Sequence, residues 1–434
     1  MAVGCLLLVG CAGPNESPAE DPEVAPATRT ELAWPQPEVE LEALDPSDIP
    51  PVSRSSPPEG LQAALQQLDF GFVDRHEVEG PPRQLSELFE AVFSRGREEA
   101  LSAAAELSQR QDLDALAGLA GAVHQNLLMD AGRYGELAAL LAEDEVPPFV
   151  AGLAALPPQR VSFVDEPFST AIEPSPAGPA MVATGVAGHR LNLLVDTGAS
   201  FSVLSESVAH RVGVELGSAP GFDVETSVDA PVRARIASLG LLRFGRAEVR
   251  DHPVLVMSDE ALRFPLPDGS QWSLDGIVGW NILRQGRLVL DWKRGVYDFS
   301  PSRGGSDAEP NLFWLGYPLV TCRTADGEPL LFGLDTGSRN TSLEASALDK
   351  LSFGEVRKKT VTIGGAGGTQ EVETEVVDWL ELIIHHTRVA VADVQREDHG
   401  DAFFVTMDGT LGVDFTQQAR MVVDFPRGEF RVEP

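Results

Sequence analysis

Two aspartates stand where a carboxylate could do acid–base work. Asp196 ends the apolar run Leu193-Leu194-Val195 and is followed by Thr197-Gly198-Ala199-Ser200. Asp335 ends Leu331-Phe332-Gly333-Leu334 and is followed by Thr336-Gly337-Ser338, 139 positions after the first. An apolar strand that stops at Asp and breaks at Gly places a carboxylate at the end of a buried strand, in a tight turn. If the fold brings two such carboxylates together, they cannot both ionise. They share one proton, and one member serves as base while the other serves as acid. That chemistry requires no metal, no cofactor and no nucleophilic Ser or Cys.

More of the chain repeats around these turns. Downstream of the first lie Asp275-Gly276-Ile277-Val278-Gly279 and Arg287-Leu288-Val289-Leu290-Asp291. Downstream of the second lie Asp408-Gly409-Thr410-Leu411-Gly412 and Arg420-Met421-Val422-Val423-Asp424, in each case offset by 133. A repeat of this length is too long for a solenoid unit and suits a duplicated lobe. Each lobe supplies one Asp.

The chain from about Val161 to Pro434 resembles the pepsin/retropepsin-type aspartic proteases, in particular bacterial retropepsin-like proteins with two lobes in one chain. The resemblance implies a mainly β fold with two homologous acid-protease lobes forming a pseudo-dimer, preceded here by a small α-helical domain. It implies that Asp196 and Asp335 are the catalytic pair and that Thr197 and Thr336 lock the two turns together. Gly198, Ala199, Gly337 and Ser338 complete the turns, and Ile277-Val278-Gly279 and Thr410-Leu411-Gly412 are the segments that cross beneath them. Thr410 departs from the apolar preference at its position. In this family a hydroxyl after the Gly can donate to the catalytic carboxylate, so Ser338 is expected to hold Asp335 ionised, while Ala199 offers Asp196 nothing. Asp196 would then carry the proton. Because both halves lie in one chain, a monomer is expected, acting on a peptide or protein substrate.

Composition sets outer bounds. At 434 residues the chain has room for two or three domains, and its formal net charge of −33 argues against nucleic acid or an anionic membrane surface as partner. Residues 1–11 read as a secretion signal: a short apolar run ending in Leu8-Val9-Gly10-Cys11, without a preceding Lys or Arg. Leu-Val-Gly-Cys resembles the bacterial lipobox, which implies lipidation at Cys11, the membrane contacted through that lipid alone, and a place in the cell envelope facing the periplasm. Residues 12–59, rich in Pro, Glu, Asp and Ser, are expected to be a disordered tether, since such composition cannot bury enough apolar surface to order itself.

Residues 60–156 turn to Ala, Leu, Glu and Gln at helical spacing, with Leu85, Leu88, Phe89, Val92 and Phe93 on one face. Helices are expected over 113–129 and 134–141, divided at Asp130-Ala131-Gly132. This domain could be an inhibitory pro-segment, a partner-binding module or an accessory domain, and His124 within it is expected to be packed.

The lobes are expected at 157–308 and 309–434. Residues 181–195 read as a hairpin turning at Gly188 that delivers Asp196, and 319–332 as its counterpart turning at Asp326-Gly327. Short helices are expected over 206–212 and 344–351. The flap hairpins that the family folds over substrate would be 361–369, glycine-rich, and 226–231, without glycine. His385-His386 falls where Phe244-Gly245 sit in the first lobe, at a hairpin turn, so a metal site is not expected there. With Cys5 in the signal, Cys11 acylated and Cys322 alone in a strand, no disulfide is expected. The function read from these residues is an aspartic endopeptidase. The alternatives are a protease fold that binds peptides without cutting them, and a scaffold acting through its helical domain.

Overall fold

The computed structural model describes residues 38–53, 58–94, 97–110, 115–141, 146–173, 175–216, 221–224, 231–266, 269–303, 310–344, 347–348, 350–351, 355–366, 368–397, 401–402, 405–416 and 419–434. The signal, Cys5, Cys11, the tether up to residue 37 and residues 226–230 of the first flap lie outside them.

Two nine-stranded sheets carry the same strand order. The first runs Arg160–Phe163, Ala247–Met257, Ser202–Ser205, Gly276–Val278, His189–Val195, Met181–Val186, Val232–Phe244, Phe222–Val224, with Ile172–Glu173 beside Met181–Val186. The second runs Val39–Ala43, Thr387–Arg396, Ser342–Leu343, Gly409–Leu411, Pro329–Leu334, Pro318–Arg323, Gly368–Ile384, Val356–Gly365, with Leu312–Trp314 beside Pro318–Arg323. The fold is mainly β, as the duplicated sequence implies.

The hairpins that deliver the aspartates follow from local rules. Met181–Val186 pairs with His189–Val195 across a two-residue turn, in which Ala187 and Gly188 take φ of 47° and 84°. Consecutive positive φ values match the twist of the flanking strands and favour Gly. A third sheet joins the lobes. Arg287–Asp291 and Arg420–Asp424, homologous strands, pair antiparallel with Arg287 opposite Asp424 and Asp291 opposite Arg420, so the pseudo-twofold axis passes by Val289 and Val422.

The second sheet departs from expectation at its edge. In the first lobe the outer strand, Arg160–Phe163, immediately precedes its own lobe. In the second the same place is taken by Val39–Ala43, paired with Val391 back to Thr387. The tether expected over 12–59 is therefore ordered structure over 38–53. The acidic, Pro-rich average of the segment conceals the alternation Val39-Glu40-Leu41-Glu42, in which Val39 and Leu41 pack against the core while the glutamates face solvent. Arg388 pairs with Glu42. Beyond the strand, Ser53 N donates to Gly327 O at 2.9 Å, and Pro51 O lies 2.2 Å from where a Cβ on Gly327 would be. Only glycine admits that approach.

Among the described residues, seven helices lie between these edge strands: Leu61–Gln66, Phe72–Arg75, Pro81–Ser94, Arg97–Ser108, Ala115–Ala131, Tyr134–Leu140 and Pro148–Ala154. The fifth runs on past the expected break to Ala131, and Gly132, at φ 72°, ends it. His124 is half-buried and its pKa is lowered, chiefly by that burial. In the first lobe a helix covers Glu206–Arg211, whereas 344–351 falls partly outside the described residues. The second flap is the hairpin Val356–Gly365 with Gly368–Ile384. His385 and His386 form the turn after it, level with Gly245-Arg246 of the first lobe.

Removing residues 1–53 would uncover the 387–391 edge and the apolar sites under Val39 and Leu41. A loss of about 2 kcal/mol in unfolding free energy is expected from that surface alone, read as a lower denaturant midpoint than that of the full chain. An unchanged midpoint would show that the strand adds nothing to the lobe.

Candidate active site

Asp196 and Asp335 lie at the ends of His189–Val195 and Pro329–Leu334, each held from below by its crossing segment. Ile277 and Val278 pair parallel with Leu194 and Val195, and Asp196 N donates to Val278 O at 3.1 Å. In the second lobe Thr410 and Leu411 pair with Gly333 and Leu334, and Asp335 N donates to Leu411 O at 3.0 Å. Gly279 and Gly412 admit close backbone contact: a Cβ would stand 2.5 Å from Phe201 C at the first and 2.4 Å from Asn340 C at the second.

The two turns are locked crosswise. Thr197 N donates to Thr336 Oγ1 at 3.0 Å, and Thr336 N to Thr197 Oγ1 at 2.9 Å. Each hydroxyl then donates to the opposite strand, Thr197 Oγ1 to Leu334 O at 2.7 Å and Thr336 Oγ1 to Val195 O at 2.9 Å. Gly198 and Gly337 sit against the opposite carboxyls. A Cβ would come within 2.7 Å of Asp335 Cγ at the first and 2.5 Å of Asp196 Cγ at the second.

Both carboxyls are 0% exposed, and each lies against the glycine that follows the other. Asp196 Oδ1 accepts from Ala199 N at 2.9 Å, and Asp335 Oδ1 from Gly337 N at 2.8 Å and Ser338 N at 3.0 Å. Asp196 Oδ2 and Asp335 Oδ2 are buried without a hydrogen-bond partner. With both ionised neither could donate, so one proton between them satisfies both oxygens. Burial pushes Asp196 up to about 6. Asp335 is pushed well above the usual carboxylate range, first by burial and then by the charge of Asp196. The two titrations belong to the pair.

The hydroxyl expected to hold Asp335 ionised is directed elsewhere. Ser338 does not donate its hydroxyl to Asp335. Ser338 Oγ donates to Asn340 O at 2.8 Å, and only its backbone N–H reaches the carboxylate. The backbone of Ala199 does the same for Asp196, so no side-chain hydroxyl distinguishes the two.

Two buried pairs behind the turns escaped the sequence reading. Ser202 N and Oγ both donate to Asn281 Oδ1, at 3.0 and 3.1 Å, and Asn281 Nδ2 donates to Pro253 O at 2.9 Å. In the second lobe Thr341 N donates to Asp414 Oδ2 at 2.6 Å, and Thr341 Oγ1 to Asp414 Oδ1 at 2.7 Å. Thr341 follows Ser202 by 139 and Asp414 follows Asn281 by 133, the same offsets as the motifs themselves. Burial pushes Asp414 up to about 6, against the hydrogen bonds from Thr341 and Phe415. Among the described residues, no group of three or more His, Cys, Asp or Glu could hold a metal ion.

One substitution made at two threonines should have opposite signs. Thr197→Val strips Thr336 N and Leu334 O of their partner, and a loss of roughly 2–4 kcal/mol is expected. Thr410 Oγ1 is buried without a hydrogen-bond partner, at the place where the first lobe has Ile277. Thr410→Val is therefore expected to be neutral or stabilising by up to about 1 kcal/mol. Urea midpoints of both variants test the pair. Equal losses at both positions would contradict the lock.

A model of the aspartyl protease family matches this chain twice, over residues 182–282 and 320–415, once in each lobe. No protein of curated function matches the sequence. Among solved structures, a retropepsin-like aspartic protease from Rickettsia conorii is similar at 15% identity, covering 33% of this chain and 95% of its own, with a TM-score of 0.22. Each lobe of this chain, with its own Asp-Thr-Gly turn, is similar to the aspartyl protease family.

Proposed function

We propose that the two-lobed body is an aspartic endopeptidase in which Asp196 and Asp335 act as one unit. The observation that carries this reading is the pair of fully buried carboxyls, each lying against the glycine that follows the other, whose Oδ2 atoms are left without a hydrogen-bond partner. Asp196, ionised, takes a proton from a water between the carboxyls, and the water oxygen bonds to the peptide carbonyl carbon. Asp335 donates its proton to the carbonyl oxygen, so the intermediate is a neutral gem-diol. The proton held by Asp196 then passes to the amide nitrogen, and a gem-diol proton returns to Asp335. The C–N bond breaks, a carboxylic acid and an amine leave, and the pair again holds one proton. Both halves of the site lie in one chain, so we assign the activity to a monomer with a peptide or protein substrate.

Anchoring through a lipid on Cys11, facing the periplasm, is proposed on Leu8-Val9-Gly10-Cys11 alone. Incorporation of labelled palmitate that persists in Cys11→Ala would refute it. Among the described residues, no helix is long and apolar enough to cross a membrane.

Asp196→Asn and Asp335→Asn should each remove nearly all turnover of a peptide library, and the double variant should lose little more. Most activity surviving in either single variant would refute the shared unit. The pH profile follows from burial. As pH falls below about 6 the pair takes up its second proton, so the acidic limb of kcat/KM should lie near that value and not in the strongly acidic range. Ser338→Ala should leave the limb in place, because its hydroxyl is directed at Asn340 O.

A further inference from the structure

Helices of the 61–154 region lie against residues that flank the dyad on both sides. Phe149 meets Phe201, five residues after Asp196, edge-on with ring centroids 5.3 Å apart, and meets Phe222 at 5.0 Å. In the second lobe Phe93 packs on Phe313 at 5.0 Å. The helix Leu61–Gln66 touches the strand Val405–Thr406, which leads into the segment beneath Asp335. Phe89, Leu127 and Phe149 belong to one apolar cluster with Leu194, Ala199, Ile277, Leu331 and Met407, the residues that surround the two turns. Ala366, at the tip of the second flap, is buried in the same cluster.

The docking is polar as well. Asp130, from the fifth helix, pairs with Arg284 of the first lobe at 2.8 Å, and both side chains are buried, at 1% and 6% exposure. Tyr134 also hydrogen-bonds Arg284. A buried ion pair fixes orientation, because either partner alone would be left desolvated and uncompensated.

The ends of the region are also informative. The chain enters it from Val39–Ala43, the edge strand of the second sheet, and leaves it into Arg160–Phe163, the edge strand of the first. These strands hold equivalent places in the two lobes. The helices are therefore inserted between integral parts of the two sheets and are strapped to both lobes, unlike a leader attached at one end.

We propose that the helical region is an internal inhibitor that occupies the substrate cleft, held captive by the edge strands at both its ends. The cleft opens when the helices are displaced, and not through loss of an N-terminal segment, since that loss would take the edge strand of the second lobe with it. The proposal rests on the reading of the dyad as peptide-cleaving. A closed state in equilibrium with an open one reduces apparent substrate affinity by the fraction open, so release should appear in KM with kcat unchanged.

The test uses the full chain with Asp130→Ala, Phe149→Ala and Phe93→Ala, each checked for folding by its melting transition. Activity is read on a fluorogenic peptide with large apolar residues flanking the cleaved bond. Binding is read by calorimetry with a peptide isostere that carries a hydroxyl in place of the scissile carbonyl. Each folded variant should lower KM by about tenfold or more, corresponding to a closed state that dominates in the wild type. Adding Asp196→Asn should abolish the gained turnover. Two independent contact sites are sampled, so unfolding of Asp130→Ala alone leaves the phenylalanine variants to decide. Equal KM in wild type and folded variants, or a rise in KM, would overturn the inhibitor. If no form cleaves but the variants bind the isostere more tightly than wild type, occlusion stands and the protease reading fails. If no form cleaves or binds, both fail.

Discussion

The structure depends on four hydrogen bonds exchanged crosswise by Thr197 and Thr336. Two carboxyls buried against each other repel as soon as both ionise, and nothing in either lobe alone would keep them adjacent. The threonines convert that repulsion into a fixed geometry. Each backbone N–H is satisfied by the other lobe's hydroxyl, and each hydroxyl by the other lobe's strand. Separating the lobes would orphan four buried polar groups at once, a cost of several kcal/mol. The glycines that follow are then obligatory, since any side chain at Gly198 or Gly337 would occupy the space of the opposite carboxyl.

Around that lock the lobes are nearly copies, and the differences carry information. The strands Arg287–Asp291 and Arg420–Asp424 meet on the pseudo-twofold axis, with Arg and Asp exchanged across it. Behind the turns, Ser202 with Asn281 matches Thr341 with Asp414. The first lobe uses a neutral amide and the second a carboxyl that burial pushes up to about 6. The second lobe thus has a buried carboxyl behind its turn where the first lobe has an amide. It also takes its edge strand from Val39–Ala43, which ties the N-terminal helices into the two-lobed body.

Much of this was legible in the sequence because the signals are local. Apolar runs ending in Asp-Thr-Gly, turns at Gly188 and Gly327, and offsets of 139 and 133 fix the two lobes and their register. The offsets also contained the Ser202–Asn281 and Thr341–Asp414 pairs, which passed unread because neither residue type stands out alone. The edge strand was hidden for a different reason: Val39 and Leu41 sit in an acidic, Pro-rich stretch and become a strand only by pairing with 387–391, far along the chain. The role given to Ser338 failed at the level of one rotamer. Its hydroxyl has an alternative acceptor in Asn340 O two residues away, and a turn sequence does not say which acceptor is taken.

The central claim is that Asp196 and Asp335 share one proton because they are buried together and the charge of Asp196 raises the cost of ionising Asp335. It is tested most directly by the carboxyl 13C titration of Asp335 in the wild type and in Asp196→Asn. With the charge at position 196 removed, the electrostatic part of the elevation disappears. Asp335 should then titrate at distinctly lower pH and with a single step. An Asp335 titration that is the same in both proteins would show two independent carboxyls, and the account of a single catalytic unit would be wrong.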